Sequence, residues 1–137
     1  MGNEMLGRLN HVAIAVTDLK SATNTYRDIL GAKVGEPLDQ PEHGVTVVFI
    51  ELPNTKVELI TPLGENSPIF NFLNKNKNGG IHHICYEVKN LELAINILMK
   101  NNYKIIGDNP KIGAHGKPVI FLHPSGFDGT LIELQEE

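Results

Sequence analysis

Four residues of the types that bind divalent metals stand at matching places in the two halves of the 137-residue chain. They are His11 and Glu58 in the first half and His83 and Glu133 in the second. The interval from residue 11 to residue 58 is 47 positions and that from residue 83 to residue 133 is 50, an agreement that unrelated surface residues would rarely produce. Two imidazoles with one or two carboxylates suit Co²⁺, Mn²⁺, Zn²⁺ or Fe²⁺ and leave coordination positions open for a substrate.

An internal repeat explains why these residues come in two sets. Residues 9–34 align with residues 81–106, and each segment reads as an apolar strand, a turn and an amphipathic helix. Asp18 and Asn90 stand where the N-cap of each helix is expected. Strand-like segments follow each helix, so both halves read as β-α-β-β-β. The residues expected on the apolar stripes of the two helices are Leu19, Ala22, Tyr26, Ile29 and Leu30, then Leu91, Ala94, Ile95, Leu98 and Met99.

This repeat predicts an α+β fold of two tandem βαβββ modules. We expect them to form one curved, mostly antiparallel sheet, with helices outside and a metal-binding cleft within. Module 1 is expected over about residues 7–64, a connector with a short helix over 65–78, and module 2 over about 79–136. Because 41% of the residues are hydrophobic, the chain can bury one core, and we expect a single domain of residues 1–137.

Strand alternation predicts which side chains face the cleft, since successive residues of a strand point to opposite faces. In the stretch GGIHHICYEV, His83 shares the parity of Cys85 and is expected to face the cleft. His82 shares the parity of Ile84 and Val88 and is expected to face the helices or the strand edge. A single histidine on a strand is more often a hydrogen-bonded core residue, so the prediction of a metal site depends on parity and repeat together. The same rule predicts that three further side chains face the cleft: those of His11, Glu58 and Glu133.

Bulk composition excludes several classes of partner. The net charge of -4 and the pI near 5.8 give no reason to expect nucleic acid or an anionic membrane as a partner. No stretch approaches the ~18 apolar residues of a membrane span. The single cysteine, Cys85, excludes an internal disulfide and fits a reducing compartment. Within its apolar run, a buried structural thiol is favoured over a nucleophile.

The paired modules resemble the vicinal-oxygen-chelate superfamily, which includes glyoxalase I, extradiol dioxygenases and fosfomycin-resistance enzymes. Within that superfamily, residues 7 to 135 or so are similar to the methylmalonyl-CoA epimerase (racemase) family. The motifs PEHGV and KIGAHGKPVIFLHP are more specific than the framework of the superfamily. The other segments that carry the similarity are LNHVAIAVTDL, VTVVFIEL, NTKVELITPLG, GGIHHICYEV and LIELQ.

The resemblance implies an isomerase that interconverts (2R)- and (2S)-methylmalonyl-CoA, with one divalent metal ion per chain and no organic cofactor. Co²⁺ is favoured, with Mn²⁺, Zn²⁺ and Mg²⁺ as alternatives. The implied ligands are His11, His83 and Glu133, with a fourth at Glu58. Some members of the family have Gln at this fourth position, so it stays open whether Glu58 binds the metal directly or through water. The resemblance also implies a homodimer, in the mitochondrial matrix with its presequence outside this sequence, or in the cytoplasm of a bacterium.

Epimerisation needs proton donors and acceptors on both faces of a planar enolate. The resemblance implies that Glu42, in the PEHGV loop, is one proton-transfer group, and we expect Glu133 to be the other. From spacing alone Glu42 would be a solvated loop acid. Glu133 would combine two roles, as metal ligand and as acid or base.

The glycine-rich segment 111–118, KIGAHGKP, has two readings. It could be a plain flexible loop, or a flap over the substrate in which His115 or Lys117 lies near a carboxylate or phosphate.

Two other kinds of protein remain as alternatives to the epimerase. One is a different metal enzyme of the superfamily, a glyoxalase-type isomerase or an Fe²⁺ dioxygenase. The other is a metal-free binding module of the bleomycin-resistance kind, which has no need of His and Glu at all the inward positions.

Overall fold

The computed structural model describes residues 5–137, which separate into two compact units. The first unit is His11–His82, and the second combines the first strand as far as Asn10 with His83–Glu137. Residues 1–4 of the expected domain lie outside the described residues. The unit boundaries fall within two strands and differ from the expected module boundaries, so the single-domain organisation and the module limits stay predictions.

The first unit contains a mixed sheet whose strand order is β2-β4-β5-β1, with β3 paired to β4. Strand β1 pairs with β5 in parallel, whereas the other pairings of this sheet are antiparallel. A parallel pair requires a long crossover, and here a helix lies on it. The elements are β1 (Leu6–Ala15), α1 (Leu19–Asn24), a π-helical turn (Thr25–Ile29), β2 (Lys33–Val34), β3 (Leu38–Gln40), β4 (Val45–Glu51), β5 (Lys56–Pro62) and α2 (Ile69–Lys75).

The second unit repeats this plan, with the strand order β6-β9-β8-β7. Strand β6 pairs with β9 in parallel, and β8 pairs antiparallel with both β9 and β7. In each unit, therefore, the strand that carries a candidate histidine lies parallel to the strand that carries a candidate glutamate. The elements are β6 (Gly80–Val88, of which residues 80–82 belong to the first unit), α3 (Leu91–Lys100), β7 (Ile105–Ile112), β8 (Pro118–Leu122), a 3₁₀ turn (Pro124–Gly126) and β9 (Ile132–Glu136).

The helix signals in the sequence are confirmed. Asp18 accepts a hydrogen bond from the Ser21 N–H at 3.0 Å, and Asn90 accepts one from the Leu93 N–H at 2.9 Å. The short helix expected in the connector is α2. Among residues 5–137, no helix is long and apolar enough to cross a membrane.

Each unit packs its helix on the face of the sheet that alternation predicts. In the first unit, Ile14, Val16 and Val57 pack with the α1 residues Leu19 and Ala22. In the second, the α3 residues pack against the helix-facing residues of β6, β8 and β9. The buried members of that second core are Val88, Leu91, Ala94, Leu98, Ile120, Leu122, Ile132 and Leu134.

Three residues expected on the helical stripes are exposed instead. Ile29 is 78% exposed, Leu30 64% and Met99 61%. The cause in the first unit is the π-helical turn, in which the Leu30 N–H donates to the Thr25 carbonyl at 3.0 Å. One extra residue in a turn rotates everything after it by about 100°, because an α-helix advances 3.6 residues per turn. Ile29 and Leu30 therefore leave the buried face.

Candidate metal centre

In the second unit, His83 and Glu133 form a buried pair on neighbouring strands. Glu133 on β9 lies opposite Cys85 on β6, two residues after His83 and on the same face. The His83 Nε2 atom lies 3.1 Å from the Glu133 Oε1 atom, and the two residues are only 5% and 7% exposed. A carboxylate is costly to bury without a partner, so this contact compensates part of its desolvation.

The first unit contains the equivalent pair, His11 and Glu58. Glu58 on β5 lies opposite Ala13 on β1, again two residues after the histidine. The His11 Nε2 atom is 3.6 Å from the Glu58 Oε2 atom, and both residues are buried. The two units thus build the same His–Glu arrangement from the same register.

Each histidine also contacts an aromatic ring that the sequence reading did not include among the site residues. The rings of His83 and Phe121 are 5.2 Å apart between centroids and nearly perpendicular at 86°. The rings of His11 and Phe49 are 6.4 Å apart at 73°. Phe121 lies opposite Glu133 across β8 and β9, as Phe49 lies opposite Glu58 across β4 and β5. The signal was present, because each phenylalanine follows its histidine by 38 positions, from 11 to 49 and from 83 to 121.

On the strand that carries the histidine, the residue paired with the glutamate differs between the two units. In the first unit it is Ala13, and in the second it is Cys85. Cys85 is fully buried, and its thiol donates to the Tyr86 carbonyl at 3.8 Å, which agrees with the expected structural thiol.

Glu42 lies apart from these strands, in the tight turn Pro41–Gly44 between β3 and β4. Its side chain is exposed. The turn is closed by a hydrogen bond from the Gly44 N–H to the Pro41 carbonyl at 3.2 Å, and Gly44 has a φ of 68°. An exposed position is what either reading of Glu42 requires, so its role stays a prediction.

The segment expected to be a loop or flap is the hairpin turn between β7 and β8. The Gly113 N–H donates to the Lys117 carbonyl at 2.9 Å and the Gly116 N–H to the Gly113 carbonyl at 3.0 Å. His115 and Lys117 are both exposed on this turn. Their proposed contacts with substrate stay predictions.

His82 points away from its neighbour His83, as alternation predicts. Its ring stands edge-on to Phe72 of α2, with 5.1 Å between centroids. The expectation that His82 faces a helix is confirmed.

Comparison with known proteins shows which family the chain belongs to. The model of the glyoxalase/bleomycin resistance protein/dioxygenase superfamily matches residues 10–121. An ethylmalonyl-CoA/methylmalonyl-CoA epimerase of Cereibacter sphaeroides is 61% identical over 133 residues, covering 96% of this chain and 99% of that protein. The mitochondrial methylmalonyl-CoA epimerase of Bos taurus is 58% identical over 131 residues, 96% of this chain and 75% of that protein.

A crystal structure of methylmalonyl-CoA epimerase from Mycobacterium tuberculosis shares the fold. Its TM-score is 0.91 at 28% sequence identity, over 99% of this chain and 91% of that one. The chain belongs to the methylmalonyl-CoA epimerase family. It is an enzyme of the isomerase class with the glyoxalase-type α+β fold, so the expected family and fold class are confirmed. Bacterial and mitochondrial epimerases both occur among its relatives.

The side chains fit the metal ion that such a fold implies. Among residues 5–137, the grouped side chains able to ligate a metal are His11 and Glu58 in the first unit and His83, Cys85 and Glu133 in the second. All five are buried, and a set of imidazoles and carboxylates suits a divalent ion of borderline hardness.

Proposed function

We propose that this epimerase-family chain interconverts (2R)- and (2S)-methylmalonyl-CoA by removing and returning the α-proton through an enolate. The observation that carries the proposal is the buried His–Glu pair that both units repeat, in a chain 61% identical to an ethylmalonyl-CoA/methylmalonyl-CoA epimerase. The repeated pair supports a bound metal ion that acts as a Lewis acid. The choice of methylmalonyl-CoA as substrate is supported by the epimerases to which the chain is similar.

The metal would be held by His11, Glu58, His83 and Glu133. A bound divalent ion supplies electrostatic stabilisation where negative charge develops on the thioester oxygen. Whether Glu58 is a direct ligand or acts through water is open, and the longer His11–Glu58 separation of 3.6 Å is compatible with both.

Two carboxylates would remove and return the α-proton on opposite faces of the planar enolate. Glu42 would remove or return it on one face and Glu133 on the other. Glu42 is exposed on its turn and therefore accessible to a substrate, whereas Glu133 is held beside His83. The exposed His115 and Lys117 would contact a carboxylate or phosphate of the substrate from the β7–β8 turn.

The test is α-proton exchange of methylmalonyl-CoA in D₂O, with and without a chelator. We expect deuterium at C2 with inversion, loss of this exchange in the presence of chelator, and recovery on addition of Co²⁺. Absence of exchange in the metal-loaded protein would contradict the epimerase. Exchange that survives complete metal removal would contradict the metal-dependent mechanism alone.

We further infer that Co²⁺ is the metal used, with Mn²⁺, Zn²⁺ and Mg²⁺ as alternatives, and that the chain forms a homodimer. The edge strand β7 exposes Ile106 and Ile112, and an exposed apolar edge is where a second chain can pair. Elemental analysis and light scattering test these two points. The compartment inferred from the relatives is the mitochondrial matrix or, for a prokaryotic source, the bacterial cytoplasm.

A further inference from the structure

We propose that Phe121 and Phe49 are positioning residues, which hold the imidazoles of His83 and His11 in the orientation that metal binding requires. The inference rests on the proposed function, because it concerns ligands of the same metal. It adds two residues that the His and Glu pattern does not contain.

A contact at one ring nitrogen does not fix the plane of a histidine ring. The terminal torsion of histidine is broad and roughly two-fold, so the groups that pack against the His83 ring contribute to the orientation of its plane. The ring of Phe121 stands at 86° to it with 5.2 Å between centroids. This lies in the favourable edge-to-face range of about 4.5–7 Å, and a perpendicular ring obstructs rotation of the imidazole out of its plane.

The register of the strands places a phenylalanine beside the His–Glu pair in each unit. In the second unit, Glu133 lies between its neighbours β6 and β8, with Cys85 opposite it on one side and Phe121 on the other. In the first unit, Glu58 lies between Ala13 and Phe49 in the same way. Each glutamate therefore has its histidine on one neighbouring strand and the restraining phenylalanine on the other.

The distances predict that the two restraints differ in strength. Dispersion and quadrupole attraction fall steeply with separation, and the Phe49 contact is longer, at 6.4 Å. Loss of the Phe121 ring should therefore disturb metal binding more than loss of the Phe49 ring.

Three variants of the second unit test the proposal. Phe121→Leu removes the ring and keeps apolar bulk, Phe121→Tyr keeps the ring, and Phe127→Leu is the matched control. Phe127 is half-buried like Phe121, but its ring packs on Tyr103 at 5.3 Å. Titration of the metal-free proteins with Co²⁺ should give a dissociation constant roughly two- to tenfold weaker for Phe121→Leu. Phe121→Tyr should bind Co²⁺ like the parent protein, and Phe127→Leu should lower the melting temperature without changing Co²⁺ affinity.

A second measurement needs no metal. The ring protons of His83 in the metal-free protein should show an NMR ring-current shift from Phe121, lost in Phe121→Leu and retained in Phe127→Leu. Unchanged His83 resonances in Phe121→Leu would overturn the proposal, as would equal losses of Co²⁺ affinity in Phe121→Leu and Phe127→Leu. If the parent protein binds none of Co²⁺, Mn²⁺, Zn²⁺ and Mg²⁺, the proposed metal site fails, and the His83 resonances alone decide whether Phe121 positions the ring.

Discussion

The two units carry the same arrangement of His, Glu and Phe but differ in how closely the side chains approach. In the second unit the His–Glu separation is 3.1 Å and the His–Phe separation 5.2 Å, against 3.6 Å and 6.4 Å in the first. Only the shorter His–Glu distance lies within ordinary hydrogen-bond range. Both contacts are thus shorter in the second unit, and we expect substitutions there to cost more.

The turn that leads into β4 in the first unit and the turn that leads into β8 in the second differ as well. The β3–β4 turn of the first unit carries an acid, Glu42, whereas the β7–β8 turn of the second carries His115 and Lys117. The repeat therefore duplicates the candidate metal ligands and diversifies the exposed turns. Such a division is expected when ligands must be symmetric and substrate contacts must not be.

The largest effect is expected from His83→Ala, compared with His82→Ala on the same strand. Loss of His83 should weaken metal affinity by more than about a hundredfold, since even the partners of metal ligands are typically worth 10- to 100-fold. Epimerisation should disappear with it. His82→Ala removes the edge contact with Phe72 and should cost only about 0.5–1.5 kcal/mol of stability. Metal titration and thermal unfolding separate the two variants, and metal loss in His82→Ala would contradict the parity assignment.

Glu42→Gln tests whether the difference between the turns is catalytic. This variant should bind metal normally and lose about 10²- to 10⁴-fold in epimerisation rate, the usual contribution of a general acid or base. Glu36→Gln, another exposed acid of the first unit, is the control and should keep full activity. Full activity in Glu42→Gln would return Glu42 to the reading of a solvated loop acid.

Much of this comparison could be predicted from the sequence, because alternation and the repeat act over short ranges of chain. The faces of β1 and β6, the caps Asp18 and Asn90, and the burial of all four His and Glu side chains followed from local pattern. The exposure of Ile29 did not, since a single π-helical turn changes the phase of the helix without any signal in apolar spacing. The part played by Phe121 was also missed, because its contact with His83 depends on the pairing of two strands that are distant from β6 in sequence.

Matched changes at the two glutamates sharpen the comparison of the pairs. Glu133→Gln should lose more metal affinity than Glu58→Gln, because Glu133 lies nearer its histidine and is assigned the proton as well. We expect Glu58→Gln to cost no more than about tenfold, since an amide oxygen can still ligate or bind water and some family members carry Gln there. Titration with Co²⁺ of both variants gives the ranking. Equal losses would show that the difference in distance has no functional consequence.

The smallest effects are expected at the helix caps. The two cap hydrogen bonds are nearly equal in length, but the two helices differ in the other contacts that stabilise them. Asp18→Ala and Asn90→Ala each remove one side-chain acceptor, which is typically worth about 1 kcal/mol. The N-terminus of α3 keeps a second acceptor, because the Leu91 N–H donates to the Glu136 carboxylate at 3.0 Å. Helix α3 also buries Leu91, Ala94 and Leu98, whereas α1 buries no residue fully.

Amide hydrogen exchange should therefore rise more over residues 19–24 in Asp18→Ala than over residues 91–100 in Asn90→Ala, even where the two variants lose similar global stability. Adding Glu136→Ala to Asn90→Ala should remove this second acceptor and bring exchange in α3 closer to that in α1. If Asn90→Ala alone exposes α3 as much as Asp18→Ala exposes α1, the Glu136 contact and the buried side chains give α3 no extra stability. The shorter His–Glu and His–Phe distances of the second unit would then not be accompanied by a more stable helix.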